Sequence, residues 1–216
     1  MLDQIRSELS RKNARLVAVS KTHPADRILE IYSQGQRLFG ENRPQEMLEK
    51  QATLPADIKW HLIGHLQTNK VKSIAPFVAL IHSVDSLRLL QEIDKQALKN
   101  NRVIDCLLQF HIAQEETKFG LSEEGAIEIL TSPSFSTLRN VRICGVMGMA
   151  TFTEDTNQLR LEFRHLKTIF DHLKARFFSQ AEHFREISMG MSSDWHIALE
   201  EGSTLLRIGS LIFGER

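Results

Sequence analysis

The stretch Leu16-Val17-Ala18-Val19-Ser20-Lys21 is followed by the polar turn Thr22-His23-Pro24. Short, β-branched apolar runs that end in such a turn are typical of buried strands in a parallel sheet. Lys21 therefore stands at the carboxyl end of a predicted strand, where α/β proteins bind their ligands. A lysine in that place is a candidate for covalent chemistry with an aldehyde. The alternative is a lysine whose ammonium reaches past the sheet into water.

Short apolar runs of this kind recur along the chain and are separated by segments with helical periodicity. The predicted strands are Leu16–Ser20, Arg37–Gly40, Trp60–Gly64, Val78–Val84, Val103–Phe110, Val141–Met149, Phe184–Met189 and Leu205–Ile208. The helical segments include one capped by Ser86, one opened by Ser122, and a long amphipathic one from about Thr156 to Phe178. Eight alternations of strand and helix predict an α/β protein with a single (β/α)8 TIM barrel. An open doubly wound sheet is the alternative fold.

The two ends of the chain bear on how such a barrel is completed. At 216 residues the chain is near the lower limit for the fold. It stops at Phe213-Gly214-Glu215-Arg216, soon after the eighth strand, which leaves no room for a full final helix. Leu2, Ile5 and Leu9 have helical spacing and predict an extra N-terminal helix that covers the exposed edge. The chain has no repeats and no Pro/Gly linker, so residues 1–216 are predicted to form one domain.

Composition narrows the class of protein. Lys+Arg 27 and Asp+Glu 27 balance to a net charge of zero, which gives no electrostatic reason to bind nucleic acid or an anionic membrane. The amino terminus has no secretory signal pattern, and no apolar stretch reaches the length of a membrane span. Cys106 and Cys144 lie in apolar runs and are predicted to be buried thiols of a cytoplasmic protein.

The histidines do not predict a metal site. His61 and His65 are four residues apart, but their segment has the pattern of a strand and turn rather than of a zinc-binding helix. His82 is expected at the mouth of the barrel, at the end of the fourth strand.

Two turns near the carboxyl end predict an anion site. The first, Ile187 to Ala198, follows the seventh strand and contains Ser192 and Ser193 at the start of a short helix, where hydroxyls and unpaired N–H groups favour an anion. The second, Arg207-Ile208-Gly209-Ser210, ends the eighth strand. The loops after strands seven and eight are where barrel enzymes commonly bind phosphate. An ordinary helix N-cap is the alternative for the first turn, but the occurrence of both turns favours phosphate.

A closed barrel places its first and last strands side by side, so Lys21 is predicted to lie near Arg207 and both turns. An amine, a guanidinium and a phosphate site at one mouth indicate a phosphorylated aldehyde held as a Schiff base. Pyridoxal 5′-phosphate (PLP) is the commonest ligand of that kind.

These residues lie within a longer series of motifs through which the chain resembles the pyridoxal phosphate homeostasis proteins, small relatives of the alanine racemase barrel. The motifs are Val17–Thr22, Phe39–Glu46, Trp60–Lys70, His82–Ser86, Glu116–Gly120, Gly145–Met149, Ser188–Ser192 and Arg207–Gly214. The resemblance implies a barrel of the alanine racemase N-terminal-domain type. His111 departs from the family pattern, which has an asparagine there, and the family usually extends a few residues beyond the end of this chain.

The resemblance also implies roles for particular residues. Lys21 would carry PLP as a covalent aldimine, and Arg207 would face the pyridine nitrogen. The remaining cofactor-binding residues would be Ser192, Ser193, Gly209 and Ser210 at the phosphate, Asn42 beside the ring, and Met189.

Residue chemistry predicts little or no turnover. Arginine is always protonated, so it donates to the ring nitrogen and leaves the pyridine a poor electron sink. The related racemases use a tyrosine opposite the lysine, whereas the single tyrosine here, Tyr32, lies in the helix after strand one. We therefore predict a monomeric PLP-binding protein of vitamin B6 homeostasis that passes PLP to apoenzymes. The alternatives are a PLP-dependent amino-acid racemase and a cofactor-free Schiff-base aldolase.

Overall fold

A computed structural model gives the structure of the protein and describes residues 2–114 and 119–214. Parallel strands follow one another in chain order around a closed barrel, and the last strand pairs with the first. The strands are β1 (Arg15–Val19), β2 (Leu38–Glu41), β3 (Lys59–Leu62), β4 (Leu80–Val84), β5 (Ile104–His111), β6 (Val141–Met149), β7 (Glu186–Ser188) and β8 (Leu205–Ile208). Each predicted strand is present, with ends within two residues of the prediction.

Helices alternate with the strands and surround the barrel. They are α1 (Leu2–Arg11), α2 (Ala25–Ser33), α3 (Pro44–Thr53), α4 (Val71–Ile74), α5 (Leu87–Lys99), α6 (Glu123–Thr131), α7 (Pro133–Ser136), α8 (Thr156–Phe177), α9 (Trp195–Glu200) and α10 (Ser210–Phe213), with a 3₁₀ turn at Thr68–Lys70. The (β/α)8 barrel is thus confirmed, and the open doubly wound sheet is wrong.

Local sequence signals set several helix starts. The hydroxyl of Ser86 accepts from the Leu89 N–H at the start of α5, and the hydroxyl of Ser122 accepts from the Gly125 N–H at the start of α6. Each bond satisfies an N–H that has no intrahelical acceptor. The predicted apolar face of α8 is buried against the barrel, because its side chains recur every three or four residues.

The N-terminal helix is present, but it covers the outside of the barrel rather than an edge. Because β1 pairs with β8 in the register Val17↔Arg207, the ring of strands has no open edge. Arg6 of α1 donates to Gln36 at the start of the β2 segment, and Glu8 pairs with His196 of α9. Helix α1 therefore lies between the helices that follow β1 and β7.

The core has two layers. A small cluster from alternate strand positions fills the barrel interior: Val17, Leu80, Leu107, Cys144, Met147 and Leu205. A larger apolar layer lies between the strands and the helices. Both cysteines are buried and are not in a disulfide. Within residues 2–114 and 119–214, no helix has the length and apolar character needed to span a membrane.

Candidate functional site

A cavity of about 800 Å³ opens at the carboxyl ends of the strands. Its lining contains Lys21, Asn42, Ser192, Ser193, Arg207, Gly209 and Ser210, all of which sequence reasoning selected. The topology brings them together, because parallel strands end at one face of the barrel. Residues that are distant in the chain thereby share one mouth.

Met189 does not line this cavity. It follows β7, and its fully buried side chain belongs to the core layer between the strands and the helices. Successive side chains of a strand point to opposite faces, so Ser188 turns inward and Met189 turns outward. Met191, two residues later, lines the cavity.

Lys21 lies in a tight turn directly after β1. The Ser20 carbonyl accepts from the His23 N–H at 3.1 Å, and Thr22 has a positive φ of 67°. The ring of His23 stacks on Phe213 of α10, with ring centroids 4.7 Å apart. This stacking connects the turn after β1 to α10, which follows β8. Strands β1 and β8 are the pair that closes the barrel.

Arg207 reaches the cavity from inside the barrel and is only 4% exposed. Its guanidinium donates to the Ser188 hydroxyl at 2.6 Å and to the Gly148 carbonyl at 3.0 Å, and both acceptors are neutral. Burial lowers the pKa of Arg207 to about 10, although the charge of Asp194 acts in the opposite direction. The guanidinium is thus protonated at neutral pH and presents positive charge to the cavity.

A chain of polar side chains continues from Arg207 down the barrel axis. Because arginine only donates, the Ser188 hydroxyl is left to donate to Nδ1 of His82, 2.9 Å away. Nε2 of His82 then donates to Nδ1 of His61, also at 2.9 Å. Burial lowers the pKa of both imidazoles, to about 3 for His61, so both are neutral and add no positive charge beside Arg207.

The prediction that His82 lies at the mouth is therefore wrong. Its side chain is fully buried inside the barrel, because it projects inward from the middle of β4 rather than from the end of that strand.

The two serine–glycine turns meet as predicted. The Ser192 hydroxyl accepts from the Gly209 N–H at 3.3 Å, which connects the turn after β7 to the turn after β8. Asp194 holds the first turn by accepting from the Met191 N–H at 2.6 Å. Gly190 has a φ of +93°, and an added Cβ there would lie 2.6 Å from side-chain atoms of Ala198 and Leu206. A side chain at 190 is thus excluded by both conformation and space.

Apolar and aromatic side chains complete the lining, and sequence reasoning missed them. They are Val19, Ile63, Met149, Met191, Phe119 and Phe152. Phe119 and Phe152 are exposed, and the His65 ring stacks on Phe119 at 4.6 Å. Strand-end position is the signal that marks Ile63 and Met149. Phe152 lies on a loop with no such pattern, and Phe119 lies in the motif Glu116–Gly120, for which no site role was predicted. Of the motif Glu116–Gly120, residues Glu116, Thr117 and Lys118 lie outside the described residues.

A second cavity, of about 540 Å³, lies at the amino ends of the strands. Two of its arginines are already paired: Arg15 with Glu186 at 2.5 Å, and Arg142 with both carboxylate oxygens of Asp105. The cavity at the carboxyl ends instead has a buried cation without a carboxylate partner in the described structure. It is the better candidate for an anionic ligand.

Tyr32 does not line the main cavity, whereas His23 and His65 are among its lining residues. The Tyr32 hydroxyl donates to Asp57, which precedes β3 and so lies at the opposite end of the barrel from Lys21. Among residues 2–114 and 119–214, no group of three or more His, Cys, Asp or Glu side chains has the arrangement of a metal site.

Comparison with known proteins gives concordant matches over nearly the whole chain. A family model described as "Alanine racemase, N-terminal domain" matches residues 2–216. The pyridoxal phosphate homeostasis protein of Aquifex aeolicus is 43% identical over 204 residues, which cover 94% of this chain and 87% of that protein. The Homo sapiens protein of the same name is 38% identical over 212 residues, covering 94% and 76%.

Similar solved structures agree with these sequence matches. PipY of Synechococcus elongatus PCC7942, with PLP bound, has a TM-score of 0.85 and 38% sequence identity, covering 99% of this chain and 98% of that chain. Alanine racemase of Clostridium difficile 630 has a TM-score of 0.75 and 14% identity, covering 100% of this chain and 60% of that chain. At that identity the likeness to the racemase shows a shared barrel fold.

Proposed function

This chain belongs to the pyridoxal phosphate homeostasis proteins, which carry the alanine racemase N-terminal domain, and from that membership we propose that it binds PLP covalently through Lys21. Its role is to hold the cofactor and release it to apoenzymes, with little or no turnover of its own. PLP binding in PipY, a relative at 38% identity, supports the first part of this proposal.

One observation carries the proposal: a lysine, a buried arginine and two serine–glycine turns line one cavity. Each part suits a different part of PLP. Lys21 supplies an amine for the aldehyde, Arg207 supplies donors for the ring nitrogen, and the serine–glycine turns supply hydroxyls and N–H groups for the phosphate. The residues present therefore fit this cofactor.

The phosphate is assigned to the two connected turns. Ser192 and Ser193 offer hydroxyls from the turn after β7, and Gly209 and Ser210 lie in the turn after β8. The first N–H groups of α10 have no intrahelical acceptor, so they are available to phosphate oxygens. Asn42 is assigned to the side of the ring.

The covalent step needs no group beyond those in the cavity. The Lys21 amine adds to the aldehyde carbon and loses two protons, and the aldehyde oxygen leaves as water, so that a C=N bond replaces the C=O bond. When bound, PLP supplies this electrophilic aldehyde and a ring that absorbs visible light.

Two features support low turnover. Arg207 is a permanent donor and cannot accept a proton from the ring nitrogen, which disfavours chemistry that needs a protonated pyridine. Racemisation needs a proton carrier on each face of the substrate, and the only tyrosine of the chain, Tyr32, is bound to Asp57 at the other end of the barrel.

Absorption spectroscopy tests the proposal. Purified protein mixed with PLP is expected to turn yellow because it gains a visible absorption band at the violet end of the spectrum, and Lys21→Ala is expected to lose that band. A cofactor-free aldolase would show no band after incubation with PLP, and that result would overturn the proposal. Arg207→Glu tests the ring assignment: it is expected to shift the spectrum and permit some transamination, whereas an unchanged spectrum would contradict the assignment.

The release of PLP to apoenzymes can be measured directly. Transfer of PLP from the loaded protein to apoenzymes should restore their activity faster than the rate at which PLP is released into solution. We also expect the protein to be a monomer with one domain and to lie in the cytoplasm. Light scattering checks the oligomeric state, and cell fractionation checks the location.

A further inference from the structure

The turn that carries Lys21 has an unusual backbone. Thr22, a β-branched residue, has a φ of +67°, a region that such side chains disfavour strongly. Strain of this kind persists only where the surroundings determine the conformation, and it concentrates at functional sites. Contacts with the surrounding structure must therefore hold the turn in this conformation.

Two side chains of α3 hold it, one on each side of Lys21. The ammonium of Lys50 donates to the Ser20 carbonyl at 2.7 Å, and the carboxylate of Glu46 accepts from the Thr22 N–H at 2.5 Å. Lys50 and Glu46 are one helical turn apart and are themselves paired at 2.7 Å. The backbone before and after Lys21 is therefore bound to one rigid unit.

A third charged residue fixes Lys50 in place. Glu41, at the end of β2, is fully buried, and its Oε1 accepts from Lys50 at 2.7 Å and from the Ser20 hydroxyl at 2.6 Å. Lys50 is 8% exposed, and its three ammonium hydrogens match its three acceptors, the Ser20 carbonyl and the two carboxylates. Burying charged side chains costs free energy, and buried ion pairs contribute little net stability. A role other than stability is therefore expected for this group of charges.

We propose that Lys50, braced by Glu41 and Glu46, is a positioning residue that fixes the backbone on both sides of Lys21 and holds its amine ready for the aldehyde. None of the three lines the cavity, so they act through the turn and not through contact with the ligand. The inference rests on the proposed function, since it assigns Lys21 the amine that reacts.

Two ligands separate positioning from general damage. PLP needs both the phosphate site and a correctly placed amine, whereas pyridoxine 5′-phosphate has an alcohol in place of the aldehyde and needs only the phosphate and ring contacts. Lys50→Met removes the ammonium and keeps the length of the side chain. It is expected to weaken PLP binding about tenfold, the equivalent of one charge-assisted hydrogen bond, and to slow the appearance of the absorption band. Binding of pyridoxine 5′-phosphate is expected to stay within about twofold of the unsubstituted protein.

The matched control is Lys59→Met, the same substitution at an exposed lysine that lines the opposite cavity; it should leave both affinities unchanged. Equal weakening of both ligands in Lys50→Met, or no weakening of PLP, would overturn the proposal. If Lys50→Met does not fold, Glu46→Ala carries the same test, because it removes only the acceptor of the Thr22 N–H and one partner of Lys50.

A separate measurement keeps this result distinct from failure of the proposed function. If the unsubstituted protein forms no band with PLP, or Lys21→Ala retains the band, then the proposed function itself is wrong. If both behave as proposed but Lys50→Met matches the unsubstituted protein, only the positioning role is wrong.

Discussion

Arg207 is a buried cation whose two hydrogen-bond acceptors, the Ser188 hydroxyl and the Gly148 carbonyl, are neutral. A carboxylate in place of Ser188 or Gly148 would neutralise the guanidinium and weaken its attraction for an anionic or electron-rich ligand. The neutral imidazoles of His82 and His61 continue this arrangement and fix the direction in which the Ser188 hydroxyl donates. The charge of Arg207 is thereby left for the ligand.

The buried histidines predict a dependence of stability on pH. The pKa of His61 is lowered to about 3 by burial, whereas in the unfolded chain an imidazole titrates near 6.5. Below pH 6.5 the unfolded state therefore takes up a proton that the folded state does not, so stability is lost as pH falls from 6.5 toward 3. Between pH 7 and pH 5 this one residue is expected to cost roughly 2 kcal/mol of unfolding free energy.

Urea unfolding of the unsubstituted protein and of His61→Asn checks this. Asparagine retains an oxygen that can accept from His82 but does not titrate. The unsubstituted protein should lose roughly 2 kcal/mol more than the variant between the two pH values. Equal losses in the two proteins would contradict the burial of a neutral His61.

Lys21 and the serine–glycine turns could be predicted from the sequence because each follows a strand with a clear apolar pattern, and Arg207 because it lies near the end of such a strand. Glu41 and Lys50 could not, because a carboxylate at a strand end and a lysine on an amphipathic helix are both ordinary on exposed surfaces. Their importance comes from the packing of α3 on β2, which buries them together.

Among the elements, the turn after β7 depends on one residue, Gly190. Gly190 has a left-handed backbone and no space for a side chain, and its carbonyl accepts from the Arg207 N–H at 3.0 Å. The conformation of this turn therefore determines both the position of Ser192 and the backbone of Arg207.

Gly190→Ala is expected to destabilise the protein by about 3 kcal/mol, from backbone strain and overpacking together, and to weaken PLP binding. Gly35→Ala is the control, because Gly35 has a similar φ of +90° but no atom within 4 Å of an added Cβ. It should cost about 1 kcal/mol, from strain alone. Urea unfolding measures the stability of both variants. Equal losses of stability would contradict the claim that overpacking adds to backbone strain at Gly190.

The elements themselves were largely predictable, since strand and helix periods alternate clearly along the chain. The place of α1 was not, because it depends on closure of the barrel and on the shortness of α10, which is a single turn. The resemblance implies a cofactor contact for Met189, but the alternation of side chains along a strand turns this side chain away from the cavity.

For the molecule as a whole, the barrel brings the Lys21 amine to the mouth and keeps Tyr32 at the other end. The protein loaded with PLP is therefore expected to racemise L-alanine at least about 100-fold more slowly than an enzyme with proton carriers on both faces. Chiral chromatography of the amino acid over time measures this. Turnover near 1 s⁻¹, within the ordinary range of enzymes, would contradict the prediction.

Peptide mapping tests whether Lys21 forms the covalent bond to PLP. Borohydride reduction of the loaded protein converts the C=N bond into a stable secondary amine, and mass spectrometry of its peptides locates the label. We expect a phosphopyridoxyl group on Lys21. A label on another lysine, with Lys21 unmodified, or no label after a visible band has formed, would contradict it.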